Sequence, residues 1–276
     1  MKEFSLGPKA RAAGYRLRGF DSIGSTNSEA IAAAAAGDPG GIWFAAREQT
    51  AGRGRRGRQW VNPHGNLAAT LLIVPDVDPS HSATLGFVAG VALKSALAEI
   101  LPEGLIKIGL DGADSLGGSS RIALKWPNDV LADGGKLAGI LLEASKSPDG
   151  RHAIAIGIGV NVVSAPVGLP YPATSLANLG VSRTAEDVFL ALSEAWVDAF
   201  SLWDDSRGVA AVLDQWRRAA AGIGSPVAVN QNGDVLRGVF ETIDGAGRLI
   251  VRSEDDRLVA ITAGDVHFGA TASARS

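Results

Sequence analysis

Apolar and polar positions alternate in two periods along this chain, and the change of period marks its elements. Ser25–Ala36 has helical spacing: Thr26 and Glu29 form a T-x-x-E capping box, alanines propagate the turn and Gly37 closes it. Ile42–Arg47 and Leu67–Val74 are short apolar runs of strand character, the second stopped by Pro75. Ser80–Leu101 is a long helical pattern with Leu85, Val88, Ala92 and Ala96 on one stripe, ended by Pro102. Ala123–Leu131 and Ala138–Glu143 read as strands around an Asp133-Gly134-Gly135 turn, and His152–Val163 as a buried strand. Thr184–Trp203 is an amphipathic helix opened by a Thr184/Asp187 box, and Gly208–Ala221 a further helix closed by Gly222. The first 20 residues are short on apolar periodicity and leave no space for a separate domain. Gly109–Ser120, with four glycines and two aspartates, reads as a mobile insertion.

After Gly222 the texture changes to short β runs at Pro226–Asn230, Val235–Ile243, Arg248–Arg252 and Arg257–Thr262. Tight turns separate them, Asn232-Gly233 being the strongest hairpin signal. About 45 residues of short hairpins predict a small β-barrel appended to a mixed α/β domain.

Composition narrows the chemistry. The chain of 276 residues has no cysteine, which removes thiolate catalysis, zinc–cysteine sites and disulfides. Lys+Arg 26 against Asp+Glu 29 gives a net charge of −3, so no global basic field attracts nucleic acid. No secretory signal is visible, and the longest uncharged stretch, Ala153–Ser182, is broken by prolines and asparagines. A soluble cytoplasmic protein without membrane contact is the expectation. The four histidines lie far apart and show no metal-ligand spacing, and His64 reads as a surface residue.

Four segments carry candidate chemistry. In Gly52-Arg-Gly-Arg-Arg-Gly57, three glycines let backbone approach a ligand while Arg53, Arg55, Arg56 and Arg58 supply guanidinium forks. Such a loop repels itself when empty and should order around an anion; a solvated basic loop or an arginine–glycine nucleic-acid patch is the bland alternative. It is not a Walker loop, since no Lys-Ser/Thr follows. Lys125-Trp-Pro-Asn-Asp129 with Gly135-Lys-Leu-Ala-Gly139 places two lysines, an amide and a carboxylate within reach of a nucleoside triphosphate and its magnesium. A surface hairpin over a buried Trp126 is the alternative. Gly157 and Gly159 on an apolar strand mark a close backbone approach, and Asn161 beside them reads as a buried, structurally satisfied amide. Ser25-Thr26-Asn27 reads first as a helix cap, with Asn27 free to present an amide. Trp60 taken alone reads as core.

In this order, Asp21–Asn27, Gln49–Arg58 with Trp60, Lys125–Leu131, Gly135–Leu141, Gly157–Asn161 and Ala173–Leu176 together resemble the biotin protein ligase family over about residues 20–270. The resemblance implies an α+β fold: a class II aminoacyl-tRNA-synthetase-like catalytic domain (1–221) and a small C-terminal SH3-like β-barrel (222–276). It implies an enzyme that joins biotin to ATP as biotinyl-5′-AMP and passes biotin to a lysine of the biotin carboxyl carrier protein of a carboxylase, with Mg²⁺ on the nucleotide.

The same resemblance places Ser25, Thr26, Asn27, Gln49, Arg53, Gly54, Arg55, Trp60, Lys136 and Gly139 on biotin. It places Arg53, Arg55, Arg56, Arg58, Lys125, Asn128, Lys136 and Asn161 on the nucleotide. Lys136, Arg55 and Asp129 are the implied catalytic residues, Asp129 also on the magnesium side. Some family members carry an N-terminal DNA-binding domain; the Ser-Thr-Asn element begins here at Ser25, so a ligase without sequence-specific DNA binding is expected. The family includes monomers and homodimers. Asp265 stands where Glu is commoner, a change with no expected consequence. A lipoate-protein ligase of the same fold is the nearest competitor, and an arginine–glycine nucleic-acid-binding module the competitor of another class.

Overall fold

The computed structural model describes residues 2–101, 122–231 and 234–268. The insertion at Gly109–Ser120 and the Asn232-Gly233 turn lie outside the described residues.

Seven strands form the main sheet: β1 (Arg16–Ile23), β2 (Ile42–Gln49), β3 (Leu67–Ile73), β4 (Ile122–Lys125), β5 (Asp129–Ala132), β6 (Gly135–Lys146) and β7 (His152–Val160). Their spatial order is β1-β2-β3-β7-β6-β5-β4, parallel between β1 and β2 and antiparallel elsewhere. Beside the short α1 (Pro8–Ala12) lie α2 (Thr26–Ala35), α3 (Leu85–Ile100), α4 (Ala185–Trp203) and α5 (Val209–Arg218). α3 and α4 cover one face of the sheet and α2 part of the other. The apolar segment Pro79–Ile100 is long enough to cross a membrane, but two-thirds of it is buried, its α3 part against α4 and the sheet.

The main core runs through that covered face, where Trp43 meets Phe189 and Trp196 edge-on, and continues into the C-terminal strands. These are β8 (Pro226–Gln231), β9 (Asp234–Ile243), β10 (Leu249–Ser253), β11 (Leu258–Ile261) and β12 (Asp265–Phe268), an antiparallel sheet in the order β11-β10-β9-β8-β12. Trp126, buried on the β4–β5 turn, donates its Nε1 hydrogen to the Gly247 carbonyl at 2.9 Å and ties the two sheets together. The α+β expectation holds.

Several boundaries differ from the sequence reading. β1 lies in the segment judged short on periodicity; it is an edge strand with half its side chains in solvent, so it shows no apolar run. Ala123–Leu131 is not one strand but two, folded back through Trp126–Asn128, with Lys125 opposite Asp129. α2 is capped by Ser25, whose Oγ accepts from the Ser28 N–H, because the Thr26 hydroxyl is committed elsewhere; the Thr26/Glu29 box does not form. Ser80–Thr84 is a 3₁₀ turn leading into α3. The Thr184/Asp187 box does form. Asp265–Phe268 is a strand that the sequence reading passed over.

Candidate active site

The site follows from strand register. Residues opposite one another on neighbouring strands share a face, so β2, β3, β7 and β6 lay their side chains in rows. One row reads Ala46–Ala68–Gly159–Gly139 and continues to Asp129 on β5. The next reads Phe44–Thr70–Gly157–Leu141, and the third Ile42–Leu72–Ala155–Glu143. α2 covers the third row through Ala30 and Ala34. Between Phe44 at one end and Leu141 and Asp129 at the other, the first two rows carry only alanine, threonine and glycine, and leave a hollow.

That hollow is occupied from above. A Cβ on Gly159 would lie 2.4 Å from the Trp60 indole and one on Gly157 2.2 Å from Asn27 Oδ1. The close backbone approach read from the two glycines is therefore an approach to Trp60 and Asn27. Gly139 gives the Lys136 side chain room to run beneath Trp60.

One end of the cleft is a network of buried neutral groups. The Thr26 N–H donates to Gln49 Oε1 at 2.8 Å, and the Thr26 and Thr70 hydroxyls are 2.8 Å apart. Thr70 donates to Asn27 Oδ1 at 2.6 Å, and Asn27 Nδ2 donates to Glu143 Oε2 at 2.7 Å.

The roof is the basic loop. Arg56 takes a left-handed backbone (φ 56°) and Gly57 follows it (φ 71°), which fans the arginines apart. The self-repulsion expected of an empty loop is met by acceptors that the fold supplies. Arg53 donates to Glu143 and Ser28, and Arg55 to Asn128 Oδ1 at 3.0 Å; Arg56 and Arg58 both reach Asp265 on β12. Arg55 is half-buried rather than free in solvent, and burial, with Arg56 beside it, disfavours its charge. Burial alone would raise the Asp265 pKa, but the Arg58 hydrogen bond and the charges of Arg58, Arg56 and Arg55 outweigh it and hold the carboxyl below the usual range. Gly52 permits the loop's return, since a Cβ there would meet the Trp60 carbonyl at 2.5 Å.

At the other end Lys136 stands between the rings of Trp60 (5.6 Å) and Tyr171 (5.7 Å), its Nζ 2.7 Å from Asp129 Oδ1. That contact is a charge pair without hydrogen-bond alignment, so Lys136 is held and not saturated.

Of the residues expected in the site, Ser25, Thr26, Asn27, Gln49, Arg53, Gly54, Arg55, Arg58, Trp60, Asn128, Asp129, Lys136 and Gly139 line this one cleft. Three stand apart from the lining. Arg56 points to Asp265. Lys125 is half-buried 5.8 Å from the Phe268 ring, and burial lowers its pKa. Asn161 is buried and its Nδ2 donates to the carbonyls of Lys136 and Thr174, bracing the strand that carries Lys136, but its Oδ1 is buried without a hydrogen-bond partner, so the expected satisfied amide is met on its nitrogen side only.

Sequence reasoning missed Thr70, Glu143 and the role of Asp265. Thr70 was legible as the lone polar residue of a wholly buried strand, and Glu143 by its spacing of two and four from Leu141 and Gly139. Among the described residues no group of three His, Asp or Glu side chains is placed to hold a metal ion, and Asp129 is engaged by Lys136. Among the described residues Asp129 is the one cleft carboxylate beside Lys136 that could share a magnesium ion with nucleotide phosphates.

Comparison with known proteins places this geometry. Residues 29–161 match the model of the Biotin/lipoate A/B protein ligase family, and residues 222–269 that of the Biotin protein ligase C terminal domain. A biotin--[acetyl-CoA-carboxylase] ligase of Paracoccus denitrificans is 42% identical over 253 residues, covering 89% of this chain and 97% of that protein. The chain belongs to the biotin protein ligase family. A Mycobacterium tuberculosis protein of the same name is 34% identical over 96% of this chain and 95% of its own length. Among solved structures, the biotin protein ligase of Aquifex aeolicus in complex with biotin and ATP superposes with a TM-score of 0.74 at 22% identity. The match covers 92% of this chain and 99% of that one, and shows the shared fold.

Proposed function

We propose that this ligase condenses biotin with ATP to biotinyl-5′-AMP and then transfers biotin to a lysine of a biotin carboxyl carrier protein. The observation that carries the reading is the polarity of the cleft. A neutral donor–acceptor network lies at one end (Thr26, Asn27, Gln49), an indole wall in the middle (Trp60) and cations over the mouth (Arg53, Arg55, Arg58, Lys136). A cyclic urea, an apolar side chain and a carboxylate facing a phosphate match that order. A dithiolane would leave the buried network without partners, a loss that polar sites do not tolerate. The nearly full-length relatives carry the biotin name as well. The nucleic-acid alternative loses support because those relatives, matched over nearly their whole length, are named as ligases.

In the first step a biotin carboxylate oxygen attacks the α-phosphorus of ATP; the bond to the bridging oxygen breaks and pyrophosphate leaves. Both reactants are anions, so the barrier carries their repulsion. Lys136, between Trp60 and the mouth, and the arginine roof offset it with preorganised charge. Exchange of acceptors, from Asn128 and Asp265 to phosphate oxygens, lets the roof close on the nucleotide without creating bare cations. A magnesium ion brought with ATP would supply further countercharge to its phosphates, beside Asp129. In the second step the carrier lysine amine attacks the acyl carbon and AMP leaves; Asp129, freed as Lys136 turns to the phosphate, accepts the amine's proton. The loop over the adenylate excludes water that would otherwise hydrolyse it. Residues 1–221 form the biotin- and ATP-binding unit and 222–276 the C-terminal unit, which contributes Asp265 to the roof.

The test is exchange of labelled pyrophosphate into ATP in magnesium buffer, with biotin or lipoate as the only acid. Exchange dependent on biotin alone is expected. Exchange with lipoate alone transfers the assignment to the sister activity, and none with either acid in folded protein removes it.

A further inference from the structure

Glu143 has no part in the chemistry above, yet it joins the two halves of the site. It stands at the end of the Leu72–Ala155–Glu143 row, one row beyond Thr70 and Gly157. Its Oε2 accepts from Asn27 Nδ2 at 2.7 Å, and both its oxygens lie 3.1 Å from Arg53 Nη2.

Every other side chain of the buried network can reverse its hydrogen bonds, and the one fixed backbone donor, the Thr26 N–H, orients only Gln49. A hydroxyl can give or take its hydrogen bond, and a side-chain amide serves either way when turned over. Only an ionised carboxylate is restricted to accepting. With Glu143 in place, Asn27 must direct its NH₂ at the carboxylate and its Oδ1 at Thr70. Thr70 must then spend its single hydrogen on Asn27, as the 2.6 Å contact records, and can only accept from Thr26. Gln49 Oε1 already accepts the Thr26 N–H, which leaves Gln49 Nε2 as a donor. The chain of directions starts at Glu143 and leaves Asn27 with one N–H and one Oδ1 lone pair uncommitted on the cleft wall. A ring that offers N–H beside C=O meets both.

We propose that Glu143 is a positioning residue that fixes the hydrogen-bond polarity of Asn27 and thereby selects a cyclic urea at this end of the cleft, while anchoring the start of the basic loop through Arg53. The proposal rests on the reading of the cleft as a biotin site.

The experiment uses the full chain, with biotin and a neutral analogue in which one ring N–H is replaced by oxygen, a cyclic carbamate that presents an acceptor where biotin presents a donor. The readout is the ratio of kcat/KM values for the two acids in pyrophosphate exchange. In Glu143→Gln the new amide can donate to Asn27 Oδ1 as well as accept from its NH₂, so the direction is no longer fixed. The preference for biotin over the carbamate should fall by at least about tenfold, the scale on which misdirected buried polar groups discriminate. A merely structural role would lower both values together and leave the ratio unchanged, and that result overturns the proposal. If Glu143→Gln does not fold, Thr70→Val removes the opposite restraint on the same amide; a fallen ratio supports the proposal and an unchanged one overturns it. Wild-type protein that exchanges with neither acid defeats the biotin reading itself, an outcome distinct from an unchanged ratio in a variant of an active ligase.

Discussion

On one face of β7 stand Ile154, Ile156, Ile158 and Val160; on the other stand Ala153, Ala155, Gly157 and Gly159. The first set is buried in the main core with α3 and α4. The second begins under α2, at Ala153 and Ala155, and ends in the open hollow at Gly157 and Gly159. A single strand thus separates the two demands on the protein: bulk on one side for stability, absence of bulk on the other for a ligand. Variants on the two faces should fail differently. Gly159→Ala puts a methyl group 2.4 Å from the indole of Trp60, which must leave its place over the cleft. We expect kcat/KM for biotin to fall by about a hundredfold, on the scale of a misplaced site element, with little change in melting temperature. Ile156→Ala, at a fully buried position, should cost about 2–5 kcal/mol of stability through cavity formation while leaving KM for biotin near wild type. Thermal denaturation paired with biotin-dependent exchange on both variants checks the contrast; equal losses of activity and stability in each would erase it.

The roof sharpens the same comparison, because it contributes function with few apolar contacts. Arg55 is half-buried, but its hydrogen bond is to Asn128 of the floor hairpin. Arg55→Gly should speed release of bound biotinyl-5′-AMP by about tenfold to a hundredfold, the worth of a charged hydrogen bond. Its melting temperature should shift by only a few degrees. Dissociation of labelled adenylate from the purified complex measures the first effect. A variant that unfolds, yet retains adenylate normally in its folded fraction, would return Arg55 to the structural side of the ledger.

How much of this was legible depends on whether a residue acts on its neighbours in sequence or across the sheet. The capping box of Thr184 and Asp187 closes within one turn, and the spacing alone revealed it. Gly157 and Gly159 were read as a close approach because glycine in an apolar strand has little other use; what approaches them comes from Trp60 and Asn27, about a hundred residues earlier. The basic loop was recognisable from composition, but its acceptors were not, since Glu143, Asn128 and Asp265 lie on three different strands or turns. The Thr26 hydroxyl fits a local capping motif as well as a long-range network. The network prevailed because Thr70 and Gln49 bury it, which no local pattern reveals. Lys125 and Asn161 show the converse: motif membership brought them near the cleft, and strand geometry turned one toward Phe268 and the other into a brace.

Asp265 gives the finest division between floor and roof, because its hold on the roof runs through its charge and therefore depends on pH. Its carboxyl is held below the ordinary carboxylate pKa, where Arg58 and Arg56 outweigh the cost of burial. A carboxylate of this kind stabilises the native state above its unfolded pKa, and that contribution is lost as pH falls through the lowered native value. Asp265→Asn keeps the shape and removes the charge. At pH 6 it should melt about 2–4 °C below wild type, the equivalent of roughly 1 kcal/mol for a partly exposed pair in a chain of this size. The gap should close as the pH drops below about 4, where wild type loses the same charge. Trypsin should cut the variant faster after Arg56 and Arg58 at neutral pH, and ATP with biotin should restore protection in both proteins by supplying phosphate in place of the carboxylate. A melting difference that persists unchanged at low pH would mean that Asp265 acts through packing in β12 rather than through its charge on the roof.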